Sequence, residues 1–459
     1  MSIENCLLTL FVVVVINLFL VNSSHFDGGS ISYKVVGTNG SKVIVRITQS
    51  YTYVYPTVYC NNTYIANQWP INFGFFNDAT AKLTCISGCA GAGYTAIPVA
   101  TKCTDYSAPM AITVGQRTDD VLVNNGSNFL VAYQESAFRT LSLPGSGSSN
   151  YAWSVSAQIN LVMRSDGTYN TPPKATMISP IYIPAGIPQT ISIPTIDEDN
   201  DNVRCRFASG SSECGDVCPP SSLPTGTSVS TDCTLSITGT TAGDWYAVAI
   251  QVQDYATNQS TTAYSSVPVQ FLVHVYDQPT CATRPYLYGP SFDGSCTSVQ
   301  VGVPYTLILY AENYCTANGV TILDIATQSF PIVIKEPIVQ NSSTLSSVTL
   351  TWIPQANEAG SQVFCSVAID SQSVQSNQYC LTFDVGEGTM GQCPGVTSTY
   401  VFSSLIIKFR FYFIEQQRQQ LLPPLRLQQQ LLLPLRLQQQ LLLLLRLVRM
   451  SLLLLCQQY

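Results

Sequence analysis

The sequence predicts an all-β protein, three tandem disulfide-bonded β-sandwich domains followed by a disordered low-complexity C-terminal tail, and three observations predict it. Charged residues make up only 10% of the 459 while Ser, Thr, Gly, Tyr and Val abound, a balance that favours short strands and turns over helices with Glu/Lys faces. Cysteines fall into three even-numbered groups along the middle of the chain. A repeat with a spacing near 116 residues recurs in the second half. The length itself suits about three domains of ordinary size.

The chain opens on an apolar run from Leu7 to Val21 followed by the small residue Ser23, the pattern of a signal peptide over residues 1–23, although the first five residues carry Glu4 and no Lys or Arg. That run is short for a membrane span of about 20 residues. Residues 24–169 are read as the first β domain. Alternation in Val43-Ile44-Val45-Arg46-Ile47 and from Trp153 to Leu161 marks strands with one buried face.

Residues 170–277 and 278–390 are the two copies of the repeat. Gly186-Ile187-Pro188-Gln189-Thr190-Ile191-Ser192-Ile193 recurs as Gly302-Val303-Pro304-Tyr305-Thr306-Leu307-Ile308-Leu309. Ala242-Gly243 ahead of Ala249 to Asp254 recurs as Ala359-Gly360 ahead of Ser366 to Asp370. Such spacing suits a seven-strand sandwich of about 100 residues. Pro172-Pro173 precedes the first copy and Tyr276-Asp277-Gln278-Pro279 separates the two, and proline both ends strands and stiffens connections. Trp153, Trp245 and Trp352 lie in alternating stretches and are read as core anchors.

The cysteine groups are Cys60, Cys85, Cys89 and Cys103; Cys205, Cys214, Cys218 and Cys233; and Cys281, Cys296, Cys315, Cys365, Cys380 and Cys393. Even groups in an exported chain read as bridges closed within each domain, and spacing leaves the connectivity open. Cys85/Cys89 and Cys214/Cys218 also have the spacing of zinc ligands, but only His25 and His274 are available beside them, and an oxidising compartment removes free thiols. Asn39, Asn61, Asn125, Asn258 and Asn341 each begin an Asn-x-Ser/Thr glycosylation sequon. Residues 24–404 carry 13 Lys or Arg against 25 Asp or Glu, a formal charge of −12. Nucleic acid and anionic membrane, which need clustered positive charge, are therefore poor partners.

Two histidines in separate domains offer no Ser-His-Asp or Cys-His arrangement, and the nucleophile elbow, the zinc-protease helix and the phosphate loop are all missing. The expectation is a protein without enzymatic activity. A glycosidase-type carboxylate pair is the remaining catalytic rival, because its two acids can come from anywhere in a chain. The one dense acidic cluster is Asp197-Glu198-Asp199-Asn200-Asp201-Asn202. Its oxygens suit a hard cation such as calcium, and the same residues equally suit a tight turn between two strands.

Residues 175–277 resemble a cadherin-like or Ig-like repeat, on the acidic turn, on Gly243-Asp244-Trp245-Tyr246-Ala247-Val248-Ala249 leading to Asp254, and on Ser265-Ser266-Val267-Pro268-Val269-Gln270-Phe271. More broadly, residues 25–387 are similar to poorly characterised extracellular proteins of invertebrates that begin with a segment like His25-Phe26-Asp27-Gly28-Gly29-Ser30-Ile31 and carry a turn like Thr351-Trp352-Ile353-Pro354. The resemblance implies adhesion or matrix roles and no known activity. It also implies Asp254 as an acid of the sixth strand and Asp277 as a linker acid. Asp197, Asp199, Asp201 and Asp254 are thus the candidate ligands of a weak calcium site, while Gln278-Pro279-Thr280 stands where the family's acidic linker motif should follow.

These readings give an extracellular structural or adhesion protein that binds a protein or glycan partner through loops or sheet faces. The alternative is a secreted lectin-like protein, for which Tyr51, Tyr53 and Tyr55 offer an aromatic face. Residues 391–459 belong to no domain. From Gln416 to Leu447 every residue is Gln, Leu, Pro or Arg, in ten-residue units. Over Leu441 to Cys456 the ten leucines, at roughly −0.5 kcal/mol each, are offset by Arg446 and Arg449 at about +2.5 kcal/mol each, which leaves no net drive into a bilayer. Threonine codons read one base late encode only Gln, Leu, Pro or Arg, so the tail is expected to be a threonine-rich, O-glycosylated stalk read out of frame.

Overall fold

A computed structural model of the chain describes residues 25–71, 80–136, 138–143, 147–149, 151–391 and 393. The expected signal segment and the Gln/Leu-rich stretch lie outside them. The described chain begins with a long hairpin, β1 (Phe26–Asn39) and β2 (Lys42–Val54), whose turn places Gly40 at φ +62°, a conformation open to glycine. Val43, Val45 and Ile47 are buried along β2 while Ile44 and Arg46 are half-buried, as the alternation predicts. The first unit continues through β3 (Lys82–Ser87), β4 (Ile97–Pro98), β5 (Lys102–Ser107), β6 (Ile112–Asn124), β7 (Asn128–Ser136), β8 (Leu141–Leu143), β9 (Gly147–Ser149) and β10 (Ala152–Asn160). Strand β10 departs from expectation in having two buried faces. Its Ser154 and Ser156 are as buried as Trp153 and Val155, with the segment 211–216 over Ser154 and the Gln251 side chain donating to the Ser156 carbonyl at 3.1 Å. Ser154 Oγ donates to the Ser212 carbonyl at 2.6 Å, and Asp216 accepts the Ala152 N–H at 3.0 Å.

The second unit comprises β11 (Lys174–Ala175), β12 (Ile181–Pro184), β13 (Gln189–Ser192), β14 (Thr195–Ile196), β15 (Asn202–Phe207), β16 (Ser228–Val229), β17 (Thr234–Ile237), β18 (Trp245–Tyr255) and β19 (Ser265–Tyr276). The third comprises β20 (Tyr286–Tyr288), β21 (Cys296–Gln300), β22 (Tyr305–Glu312), β23 (Ile322–Gln328), β24 (Ile334–Lys335), β25 (Val339–Gln340), β26 (Leu345–Trp352), β27 (Gly360–Asp370) and β28 (Tyr379–Gly386). Both units are wired alike. One layer runs β13-β17-β16 in the second and β20-β22-β26-β24 in the third; the facing layers run β12-β19-β18-β15 and β21-β28-β27-β23, each with its first strand parallel to its last. The repeated glycines recur at equivalent places. Gly186 and Gly302 sit at φ +75° and +78°, and Gly243 and Gly360 at +91° and +96°, so the backbone demands glycine at the same places in both copies.

Seven bridges close within the three cysteine groups: Cys60–Cys103 and Cys85–Cys89; Cys205–Cys233 and Cys214–Cys218; Cys281–Cys315, Cys296–Cys393 and Cys365–Cys380. The two pairs with zinc-ligand spacing are both among them.

The three units follow one another along the chain but are interlocked in space. Strand β19 pairs with β18 along one edge, and its other edge is divided: Val273 to Tyr276 pair with β12, Val269 to Phe271 with Ser30 to Gly28 of β1, and Ser266 with Gln158 of β10. The first and second units therefore share one twelve-stranded sheet, and the division near residue 170 is not a break in hydrogen bonding. The third unit keeps its own sheets, so the division at 277 falls between sheets. It packs onto the first through a small core that includes Met110, Ile112 and Val114 from the first unit, Ile178 and Tyr182 from the second, and Val367 from the third.

Close approach of β1 to β19 explains Gly28, and its close packing on β2 explains Gly29. Gly28 has φ +139°, and a Cβ there would lie 2.3 Å from the Gln270 carbonyl oxygen; one on Gly29 would lie 2.3 Å from the Tyr51 ring. Gly28→Ala is expected to destabilise the protein by about 3 kcal/mol or more, whereas Gly40→Ala, which meets nothing within 4 Å, should cost about 1 kcal/mol, both read from urea unfolding.

Candidate functional site

The acidic cluster forms the connection between β14 and β15, and it is first of all a turn. Asp197 Oδ1 accepts the N–H groups of Asp199 at 2.9 Å and Asp201 at 3.0 Å, and Asn200 takes φ +59°. The turn then brings Asp197 and Asp201 to Asp254 at the end of β18, where carboxylate oxygens of the three lie within 4.8 Å of one another. Asp254 is held by the Ser265 N–H and hydroxyl at 2.7 and 2.6 Å and by Asn170 Nδ2 at 2.6 Å. Asp199 points aside, accepting the Thr171 N–H at 2.7 Å. Asp277 is exposed beyond the opposite end of β19 and takes no part.

Burial, followed by the neighbouring Asp254, Asp201 and Asp199, pushes Asp197 up to about 7. Burial also raises Asp254. Oxygen donors in this arrangement suit calcium, and Asp197 Oδ2 is buried without a partner. Sequence reasoning missed the group that answers the charge. The Arg164 guanidinium bonds Asp201 and Asn170, reaches Asp199 at 3.0 Å, and lies over the Tyr264 ring at 4.6 Å. A positive residue 33 positions upstream of the turn carries no spacing signal, so only the fold reveals it. Glu198, in the same turn, faces the other way. Its carboxylate accepts Lys174 Nζ at 3.0 Å and the Ser361 N–H at 3.1 Å and lies 3.5 Å from Lys34, so it ties all three units together. Burial opposes its charge, but Lys174 and Lys34 outweigh that and hold it below the usual carboxylate range.

The remaining candidates are placed as follows. Tyr51 and Tyr53, offered as a ligand-facing surface, are fully buried among Phe26, Tyr133 and Trp153, so the aromatic face of the lectin alternative is core. Tyr55 is half-buried, stacked with Tyr59 and Tyr106. Trp153 and Trp352 are buried anchors; Trp245 is half-buried between His274 at 4.0 Å and the Arg139 guanidinium at 4.2 Å. Burial and then Arg139 push His274 down to about 4. His25 is buried, stacked on Tyr53 and edge-on to Trp153. Asn39, Asn125, Asn258 and Asn341 are exposed. Asn61 is half-buried and its Oδ1 accepts the Tyr64 N–H at 3.0 Å at the start of the short helix Asn62–Ala66.

A cleft of about 580 Å³ lies between the second and third units, walled by β13 and by the segment 375–382. Smaller cavities of about 340 and 190 Å³ lie elsewhere, and none of the three includes Asp197, Asp201 or Asp254.

No family model and no curated protein matches this sequence. Among solved structures, the sialic acid binding region of a Streptococcus sanguinis SK1 adhesin is 12% identical over 48% of this chain and 79% of its own, with a TM-score of 0.18. The fibronectin(III)-like modules of Clostridium thermocellum CbhA are 13% identical over 49% and 100%, at 0.16. The endo-fucoidan hydrolase MfFcnA4 of glycoside hydrolase family 107 is 14% identical over 67% and 39%, also at 0.16. Scores this low carry nothing about the activity or ligand of this chain.

A raised carboxyl pKa means the folded state holds a proton that the unfolded state releases, so stability falls as pH climbs from the unfolded value near 4 through the folded value. Asp197, Asp27 at about 6 and Glu358 at about 7 share that sign. The melting temperature is expected to drop between pH 5 and pH 8, and Asp197→Asn to flatten the drop. With Arg164 in place, millimolar calcium should shift melting little at pH 7.5; in Arg164→Met the shift should grow at pH 7.5 and shrink at pH 5.5. A large calcium shift in the unaltered protein contradicts this role for Arg164.

Proposed function

We propose that this protein is an extracellular structural or adhesion protein, without catalysis of its own, that binds a protein or glycan partner through the exposed surfaces of one rigid body. The observation that carries this reading is the interlocking of the three units by buried charge. Asp105 of β5 is buried against Lys335 of β24, 2.8 Å away, and also accepts the Thr327 N–H at 2.7 Å and the Thr327 hydroxyl at 2.8 Å. Glu198 of the second unit accepts the Ser361 N–H of the third at 3.1 Å and lies 3.5 Å from Lys34 of the first, with Lys174 donating to it at 3.0 Å. Such pairs cost several kcal/mol to desolvate and survive only where the packing holds both partners.

A body locked in this way presents its surfaces at fixed separations and loses little freedom when a partner docks, which suits attachment better than turnover. Seven bridges and exposed sequons suit an oxidising exterior. A lectin-like reading now rests on another surface, the row Tyr286, Tyr288 and Tyr310, whose rings stack at 5.5 Å with Tyr286 54% exposed.

Beads coated with the full secreted chain test the proposal. They are expected to adhere to cells or matrix, and glycan and protein arrays to separate the two partner classes, with Tyr286→Ala weakening binding only if the partner is a glycan. Beads that adhere no better than albumin-coated beads, together with turnover of a polysaccharide, contradict it.

A further inference from the structure

Strand β13 lies at the edge of its layer, paired on one side only, with β17. In an antiparallel pair, alternate residues turn their N–H and C=O toward the partner and the residues between turn theirs away. The Ile193 N–H donates to the Cys233 carbonyl at 2.9 Å, in the same register that sets Ile191 opposite Leu235 and Gln189 opposite Ile237. Thr190 and Ser192, the residues between, therefore direct their backbone groups outward. Both are exposed, and neither backbone N–H has a partner among the described residues.

Strand β11 covers the neighbouring stretch of this edge. Lys174 and Ala175 pair with Ile196 and Thr195, and the Thr176 N–H reaches the Pro194 carbonyl at 3.4 Å, where the coverage stops. The open part lines the 580 Å³ cleft, a volume within the usual range of ligand pockets, and Arg284, Asp293, Asn377 and Gln378 are among its polar lining. Nearby backbone shows what such groups demand. The Gln375 side chain accepts the Tyr182 N–H at 3.1 Å and donates to the Pro180 carbonyl at 3.0 Å, and Gln378 accepts the Ile178 N–H at 2.9 Å. Among the described residues, nothing equivalent reaches the Thr190 or Ser192 N–H.

We propose that β13 takes up an extended peptide segment of a partner protein as an added strand, seated in this cleft. The inference rests on the adhesive reading above and names the form of its partner. Backbone hydrogen bonds from Thr190 and Ser192 supply register, and the polar walls select side chains. Pro188 and Pro194 bracket the open edge and limit the inserted strand to about four residues, ~13 Å at about 3.3 Å per residue.

The probe is a library of capped hexapeptides screened on the full chain. Binders resynthesised with single backbone N-methyl groups are expected to lose about tenfold or more in affinity at alternate positions only. Ser192→Pro, which removes an outward N–H and no ladder bond, should weaken them similarly without lowering the melting temperature. In the unaltered protein, bound peptide should slow amide exchange at Thr190 and Ser192, a readout that needs no variant. The inference is overturned if every hexapeptide binds the unaltered protein no better than Ser192→Pro, if N-methylation is tolerated at every position, or if exchange at both amides is unchanged. Bead adhesion that survives Ser192→Pro likewise removes this site while leaving the adhesive reading standing.

Discussion

Both edges of strand β19 are hydrogen-bonded, and because β12 occupies only its last four residues, the rest of the second edge is open to strands from elsewhere in the chain. An uncovered edge in a long central strand would be a template for aggregation. Here β1 and β10 cover it, and the position of the whole first unit follows. Gly28 allows β1 to come close enough, and the Ser179 hydroxyl donates to the Asp27 carbonyl at 2.6 Å while accepting the Leu272 N–H at 2.9 Å. Asp27 itself is carried inside, where burial raises it to about 6 against the opposing pull of Arg139. Arg139 in turn lies over Trp245, which stacks on His274. A continuous set of contacts thus runs from the start of the described chain to β18 and β19.

The third unit depends on that arrangement, because the surface it docks on comes from the other two. Met110 and Ile112 from the first unit and Ile178 and Tyr182 from the second present one apolar patch only when β1 is on β19. Lys335 then closes the contact. Burial opposes its charge, but Asp105 and Asp324 outweigh that and hold the ammonium above its ordinary range, while burial pushes the Asp105 carboxyl up. The pair is best described as specifying where the third unit sits, since an apolar pair of equal volume often stabilises as well.

Local features of this fold were legible in the sequence because they answer local demands. The repeat could be read because its glycines take positive φ at the same places in both copies, and Trp153 and Trp352 because alternation places them on inner faces. Tyr51 and Tyr53 misled for a related reason: alternation gives the face a residue shares and not whether that face is covered, and Phe26 and Trp153 cover this one. Contacts over long separations left no local trace. Asp105 and Lys335 are 230 residues apart, and β1 meets β19 across a similar span. At the acidic turn the sequence pointed to Asp197, Asp199, Asp201 and Asp254, of which Asp199 turns aside and the other three converge, but it gave no sign of Arg164 among them.

The central claim is that β1 and β19 belong to one sheet and open together. Native-state amide hydrogen exchange on the full chain measures this directly, by comparing protected amides of β1 between Gly29 and Val35 with those of β18 and β19 as urea is raised toward the unfolding transition. The account predicts that both groups exchange with the same opening free energy and the same urea dependence. Exchange of β1 through a separate, smaller opening while β18 and β19 stay protected would contradict it.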